Sequence, residues 1–175
     1  NEGHYKVGTV KTVFAANNSN YSVHEQILSV NENDVVLIFT HNCDERAIIG
    51  DLVAKFLTLY KSASSVVVVG YVRDVAALKR ENFPVWSTGF SPLGCYNTPA
   101  DPFPKDLELK LRKKYDGGIA ICDDGGVTVI SKDRINDEVL KRLNKIEIQE
   151  DIWFYCLDTL KWDTKKIIVD KAYKK

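Results

Sequence analysis

The sequence is short of several things, and each shortage removes a class of explanation. Lys+Arg and Asp+Glu both number 24, so the formal net charge is zero. A general nucleic-acid binder carries a basic excess that draws it to phosphates, so no direct nucleic-acid partner is expected. No apolar run approaches the roughly 18 residues that a membrane helix needs, so no membrane partner is expected either. No secretory leader pattern is visible. The four cysteines, Cys43, Cys95, Cys122 and Cys156, form no CxxC pair and no Cys/His zinc spacing. They read as reduced thiols of a cytoplasmic protein. No glycine-rich nucleotide loop, internal repeat or low-complexity stretch occurs. Methionine is absent, position 1 included, which leaves open whether residues precede Asn1.

What remains is ordinary globular material. The 175 residues suit one domain, and 45% apolar with 27% charged residues is enough for a sizeable core. Lys6 to Phe14 alternates partly and reads as a strand. Ser22, with Glu25 in capping-box spacing, starts a short helix that ends near Val30. Val35 to Phe39 is a continuous apolar run, the mark of a strand buried on both faces. Thr40 to about Ala47 reads as a polar loop. A helix starts at Gly50-Asp51, with an apolar stripe of Leu52, Val53, Phe56, Leu57 and Tyr60. Val66 to Val69 forms a second buried strand, ended by Gly70. A short helix over Val75 to Glu81 and a strand over Pro84 to Thr88 follow. This alternation of strands and helices implies an α/β fold with parallel pairing.

Ser91 to Pro104 reads as a loop and Lys105 to Tyr115 as a mostly polar helix. Asp123-Asp124-Gly125-Gly126 joins the β-rich runs Ile119 to Cys122 and Val127 to Ile130 into a hairpin. Two further helices are expected, about Asn136 to Leu143 and Gln149 to Leu160. The stretch from Lys165 to Lys175 reads as a solvated end.

Two short words combine geometry with chemistry. At Gly50-Asp51-Leu52-Val53, the glycine admits a ligand close to the backbone, and the free first-turn amides favour an anion. Alone, this is also how an ordinary cap looks. At Gly70-Tyr71-Val72-Arg73-Asp74, an Arg-Asp pair lies beyond the carboxyl end of a buried strand, where open α/β sheets bind ligands. Arg presents a planar fork to a carboxylate, and Asp is a hard oxygen ligand suited to Mg²⁺. Alone, this too has a bland version, a solvated surface ion pair.

The two words together resemble the RraA-like family, which joins metal-dependent 4-hydroxy-4-methyl-2-oxoglutarate aldolases to the regulators of ribonuclease activity. The Gly8 to Val13 strand, Leu78, Phe83 to Gly89 and the Gly118 to Val127 hairpin extend the resemblance over roughly Gly8 to Ile130. It implies a swivelling β/β/α domain of the phosphohistidine-domain type, with a mixed sheet core and flanking helices. The RraA-like domain is expected over residues 1–145, with residues 146–175 as a helical extension packed on it. The resemblance further implies a homotrimer. It implies a divalent-metal-dependent pyruvate aldolase or oxaloacetate decarboxylase acting on a small 2-oxo acid through a pyruvate enolate. Asp74 would bind Mg²⁺ or Mn²⁺, and Arg73 would contact substrate. Gly50, Leu52 and Val53 would hold the substrate carboxylate, and Asp51 would orient a proton-donating water. The alternative within the same family is a non-catalytic regulator that binds a ribonuclease.

Three departures from the family pattern stand out. Ala77 occupies a position, three after Asp74, that is often acidic. Gly50 to Arg73 is one residue longer than usual, with Lys61 to Ser65 the expected place for the insertion. Pro99 to Tyr115 replaces a Pro-Gly-Asp stretch.

Overall fold

In the computed structural model, which describes residues 3–174, the apolar runs become the centre of one sheet. In chain order its first elements are β1 (Lys6–Ala16), α1 (Tyr21–Gln26), β2 (Asp34–His41), β3 (Ala47–Ile49) and α2 (Asp51–Lys55). They are followed by β4 (Ser65–Val72), α3 (Val75–Arg80), β5 (Val85–Phe90), α4 (Lys105–Tyr115), β6 (Ile119–Asp123), β7 (Gly126–Ile130) and α5 (Asp137–Asp158). Strands run in the order β3-β4-β2-β1-β6-β7, with β5 also paired to β4. Pairing of β1 with β2, β2 with β4, β3 with β4 and β4 with β5 is parallel. The β6–β7 hairpin joins β1 antiparallel, so the sheet is mixed.

Central strands alternate their side chains between two buried clusters. Val13, Val36, Ile38, Val66 and Val68 face one, together with Val53, Leu57 and Leu78 from the helices. Phe14, Leu37, Phe39 and Val67 face the other, with Phe103. Burial on both faces is why β2 and β4 read as unbroken apolar runs. Helices flank the sheet, as expected, and among the described residues none is long and apolar enough to cross a membrane.

Several local expectations need correction. The N-cap of α1 is Asn20, while the Ser22 hydroxyl donates to the Phe14 carbonyl at 2.9 Å. The loop expected from Thr40 ends in a strand, because β3 pairs with Tyr71 and Val72 of β4. Gly70 does not end β4, which runs on to Val72. After Lys55 the helix widens into a π turn, Phe56–Tyr60. A π turn closes i→i+5, one residue wider than an α turn. The two helices expected near the C-terminus are one, α5, since neither Gly nor Pro interrupts residues 144–148.

Two compact units divide between Asp133 and Arg134. The expected boundary at 145/146 lies within α5. In the second unit, Lys165–Val169 forms a π turn with Ile167 buried, so that end is not wholly solvated.

Candidate functional site

Strand β4 delivers Arg73 and Asp74 just past its last paired residue. The Arg73 amide still donates to the Ile49 carbonyl at 3.0 Å, which ties it to the end of β3. The next residue after β3, Gly50, opens α2. Parallel pairing of β3 with β4 therefore sets the two sequence words side by side, although they lie far apart along the chain.

Asp74 has φ 59° and ψ 36°, the left-handed region, which Asp tolerates better than most residues. Its carbonyl accepts from the Ala77 and Leu78 amides at 2.9 and 3.0 Å, so the backbone turn starts α3 while the carboxylate stays clear. Asp74 Oδ2 lies 3.4 Å from Arg73 Nε and 3.4 Å from the Asp51 amide. Both contacts are long, and the Arg73 side chain is half exposed, so the pair contributes little to stability. A Cβ at Gly50 would fall 2.0 Å from Asp74 Oδ2, so a larger residue would displace the carboxylate. A Cβ at Gly94 would fall 2.7 Å from Arg73 Nη1. Two glycines on different loops thus clear the space that Arg73 and Asp74 occupy.

Gly50, Asp51, Leu52, Val53, Arg73 and Asp74 line one cleft of about 140 Å³. Every residue singled out from the sequence is in its wall. Val53 is also a core residue, and the Leu52 side chain is exposed. The Leu52 amide donates to Asp51 Oδ1 at 2.7 Å, so that first-turn donor is taken by the helix's own carboxylate. Ala77 sits in the first turn of α3 and supplies no carboxylate. The Pro99 to Tyr115 stretch builds core instead of site, with Phe103 buried and Leu111 and Tyr115 packed beside it.

Asn20, His24, Cys95 and Asn97 also line the cleft and were not identified from the sequence. Asn20 Nδ2 donates to the Ile48 carbonyl at 3.0 Å, holding the floor of the cleft. The loop carrying Gly94 and Cys95 is pinned to β3: Ala47 donates to Leu93 at 2.7 Å, and Cys95 donates to Ala47 at 3.1 Å. Arg46 holds the same loop from outside. Its Nη1 donates to the Gly94 carbonyl at 2.8 Å, and its guanidinium lies 4.4 Å from the Tyr96 ring centre. Behind the cleft wall, hydrogen bonding from the Cys95 thiol lowers the Cys43 thiol from 9.0 to about 7 against the opposing effect of burial. The same contact pushes the Cys95 thiol up.

A sequence profile of the RraA-like family (Aldolase/RraA) matches residues 1–129. The chain belongs to the RraA-like family. A protein of Halalkalibacterium halodurans, provisionally named 4-hydroxy-4-methyl-2-oxoglutarate aldolase, is 28% identical over 168 residues, covering 86% of this chain and 71% of that protein. RraAS2 of Streptomyces coelicolor, described as an unusual member of the RNase ES inhibitor RraA protein family, superposes with a TM-score of 0.67 at 18% identity. That match covers 87% of this chain and 78% of the other. The RNA-processing inhibitor RraA of Thermus thermophilis superposes with a TM-score of 0.57 at 19% identity, covering 74% and 78%. At these identities the solved structures establish the fold, the RraA-like arrangement of a mixed sheet with flanking helices.

Among the described residues, no group of three or more His, Cys, Asp and Glu gathers to hold a metal by itself. In this RraA-like chain the cleft offers one open carboxylate, Asp74, with Asp51 nearby. That donor set fits a hard cation such as Mg²⁺, which binds through one or two carboxylates and keeps several waters.

Proposed function

We propose that the chain is a divalent-metal-dependent lyase, a pyruvate aldolase or oxaloacetate decarboxylase acting on a small 2-oxo acid. The observation that carries this reading is the convergence of Arg73, Asp74 and the Gly50–Val53 helix start on one cleft. Family membership and the Halalkalibacterium relative's name support it.

Asp74 would hold Mg²⁺ or Mn²⁺, which when bound supplies Lewis-acid polarisation of the 2-oxo group. Arg73 brings a permanently charged planar donor set to the same cleft, where it pairs the negative charge that develops on the oxo oxygen. Cleavage of C3–C4 in a 4-hydroxy-2-oxo acid turns the C4 hydroxyl into a carbonyl, its proton passing to water in the cleft, and leaves the C3–C4 electron pair on the pyruvyl fragment as an enolate. Asp51 orients the water that returns a proton to C3 and completes pyruvate. Loss of CO₂ from oxaloacetate gives the same enolate, so one set of residues serves both reactions. The substrate carboxylate takes the first-turn amides of Leu52 and Val53 once Asp51 turns from the Leu52 amide toward water. Gly50 keeps the backbone approach open. The assembly is proposed to be a homotrimer in the cytoplasm.

The test is pyruvate release from oxaloacetate and from 4-hydroxy-4-methyl-2-oxoglutarate, with Mg²⁺ and with EDTA, for wild type and Asp74→Ala. Metal-dependent release that Asp74→Ala abolishes is the expected result. Folded protein that releases no pyruvate above the metal-only control defeats the enzyme reading. Ala77, which withholds a carboxylate from the site, favours the second reading in that event: a non-catalytic regulator that binds a ribonuclease.

A further inference from the structure

All four cysteines are free, and two of them touch. Cys122 is buried with its sulfur 3.6 Å from the Ser65 hydroxyl, and Cys156 is buried in the helical unit. Cys43, between β2 and β3, instead meets Cys95, on the segment after β5. The Cys95 thiol donates to the Cys43 sulfur, and the neutral Cys43 thiol donates to the His41 carbonyl at 3.4 Å. Backbone bonds fix both sides of this contact. The Arg46 amide donates to the Cys43 carbonyl at 2.9 Å, the Asn18 amide to the Asn42 carbonyl at 3.0 Å, and the Tyr96 amide to the Asn18 carbonyl at 2.8 Å. The Cys95 amide adds its bond to Ala47. Three chain segments are thus stitched around the pair, and the two sulfurs are held within reach of each other, as a disulfide requires.

The pair also has the chemistry of a redox site. Cys95 lines the cleft and is half-buried, and Cys43 stands behind it at 5% exposure. The bond from Cys95 lets Cys43 ionise at about 7 while Cys95 keeps its proton, so a thiolate and a neutral thiol are in contact near neutrality. The thiolate is the form that attacks an oxidant, and a second thiol beside it intercepts the sulfenic acid before further oxidation. Disulfides of reducing compartments are usually of this transient, sensing kind.

We propose that Cys43 and Cys95 form a redox-modification site, which a small peroxide closes to a disulfide and a dithiol reopens. The Cys43 thiolate attacks one oxygen of hydrogen peroxide. The O–O bond breaks, Cys43 becomes a sulfenic acid, and the departing hydroxide takes up the proton that Cys43 released, giving water. The Cys95 sulfur then attacks the Cys43 sulfur. The S–O bond breaks, the S–S bond forms, and hydroxide leaves with the Cys95 proton as a second water. Two thiols lose two electrons, and the peroxide gains them.

The bond would reach the cleft through Gly94. A Cβ there would stand 2.7 Å from Arg73 Nη1, so this glycine backs directly on the guanidinium. Drawing the adjoining Cys95 to the S–S bonding distance of about 2 Å moves that wall relative to Arg73. This consequence rests on the reading of Arg73 as a substrate contact, whereas the disulfide itself does not.

The test is peptide mapping by mass spectrometry of the full chain after hydrogen peroxide treatment and alkylation, with and without dithiothreitol. The expected product is one pair of peptides joined through Cys43 and Cys95, lighter by two hydrogens and separated by dithiothreitol. Cys95→Ser should leave a trappable sulfenic acid at Cys43. Oxidation of the two thiols to sulfinic acids without a joined pair, or linkage through Cys122 or Cys156 instead, overturns the site. Pyruvate affinity in Mg²⁺, measured by titration calorimetry, should weaken about tenfold on oxidation, the scale of one charge-assisted hydrogen bond, and recover with dithiothreitol. Cys43→Ala should make that affinity insensitive to peroxide. A joined pair with unchanged pyruvate affinity upholds the modification and overturns its effect on the cleft. Reduced protein that binds no pyruvate defeats the reading of the cleft, and the peptide map still decides the disulfide.

Discussion

The two compact units of this chain differ in where they put their apolar side chains. Both buried clusters of the sheet unit are drawn from residues before Asp133, and Ile38, Ile48, Leu57 and Val66 are wholly inaccessible there. In the helical unit Cys156 and Ile167 are buried, whereas Leu140, Leu143, Ile146, Ile148 and Phe154 are exposed. The sheet unit can therefore hold a cleft rigidly, because its walls stand on strands that are packed on both sides. The helical unit rests more on local helix energetics, with Asn136 capping α5 through a bond to the Val139 amide at 3.0 Å.

The largest effect is expected at the cleft. Asp74→Ala should lower metal-dependent pyruvate release at least about 100-fold, the scale of losing a metal's catalytic help, with the melting temperature nearly unchanged. Gly50→Ala should act in the same direction by pushing the Asp74 carboxylate aside, and a weaker apparent Mg²⁺ affinity in the same assay would reveal it.

Next comes a matched pair of truncations. Leu57→Ala, at 0% exposure, should cost about 3 kcal/mol in denaturant unfolding. Leu140→Ala, at 55% exposure, should cost under about 0.5 kcal/mol. Equal losses would mean that the two units do not differ as described.

A smaller effect is expected at Thr12, buried at 1% exposure. Its amide and hydroxyl both donate to Asp116 Oδ1, at 2.8 and 2.7 Å. Asp116→Ala strands those donors and should cost about 1–3 kcal/mol by the same unfolding measurement.

The smallest effect concerns the thiols. Cys43 has its folded value lowered to about 7 from an ordinary 9.0, so the folded state releases this proton earlier than the unfolded chain. Its contribution to stability therefore grows as pH rises from about 7 toward 9 and is lost as pH falls through about 7. Thiolate absorbance should titrate near neutrality in wild type and move upward in Cys95→Ala, which removes the donor. An unmoved titration would mean that Cys95 does not hold the Cys43 thiolate.

Much of the sheet unit was legible because its signals are local. Val35 to Phe39 and Val66 to Val69 are apolar runs that burial on both faces requires, and the Asp-Gly hairpin is turn chemistry. The gap expected between two helices closes in α5 because residues 144–148 carry neither Gly nor Pro to interrupt a helix. β3 was missed because three residues show no period, and only pairing with Tyr71 and Val72 makes them a strand. Asn20, His24, Cys95 and Asn97 were missed for a related reason. Each reaches the cleft through a loop or helix whose place is set by distant partners, such as Ala47 for Cys95.

The order of amino acids alone carries the chemistry available to this protein: a glycine before a helix, an arginine beside an aspartate past a buried strand, and a net charge of zero. These are properties of residue type and short spacing, which the chain carries in any conformation. Folding alone brings the two words to one cleft and sets the Leu52 amide on Asp51. The first joins residues distant in sequence, which the parallel pairing of β3 with β4 brings together, and the second follows from how the chain turns into α2.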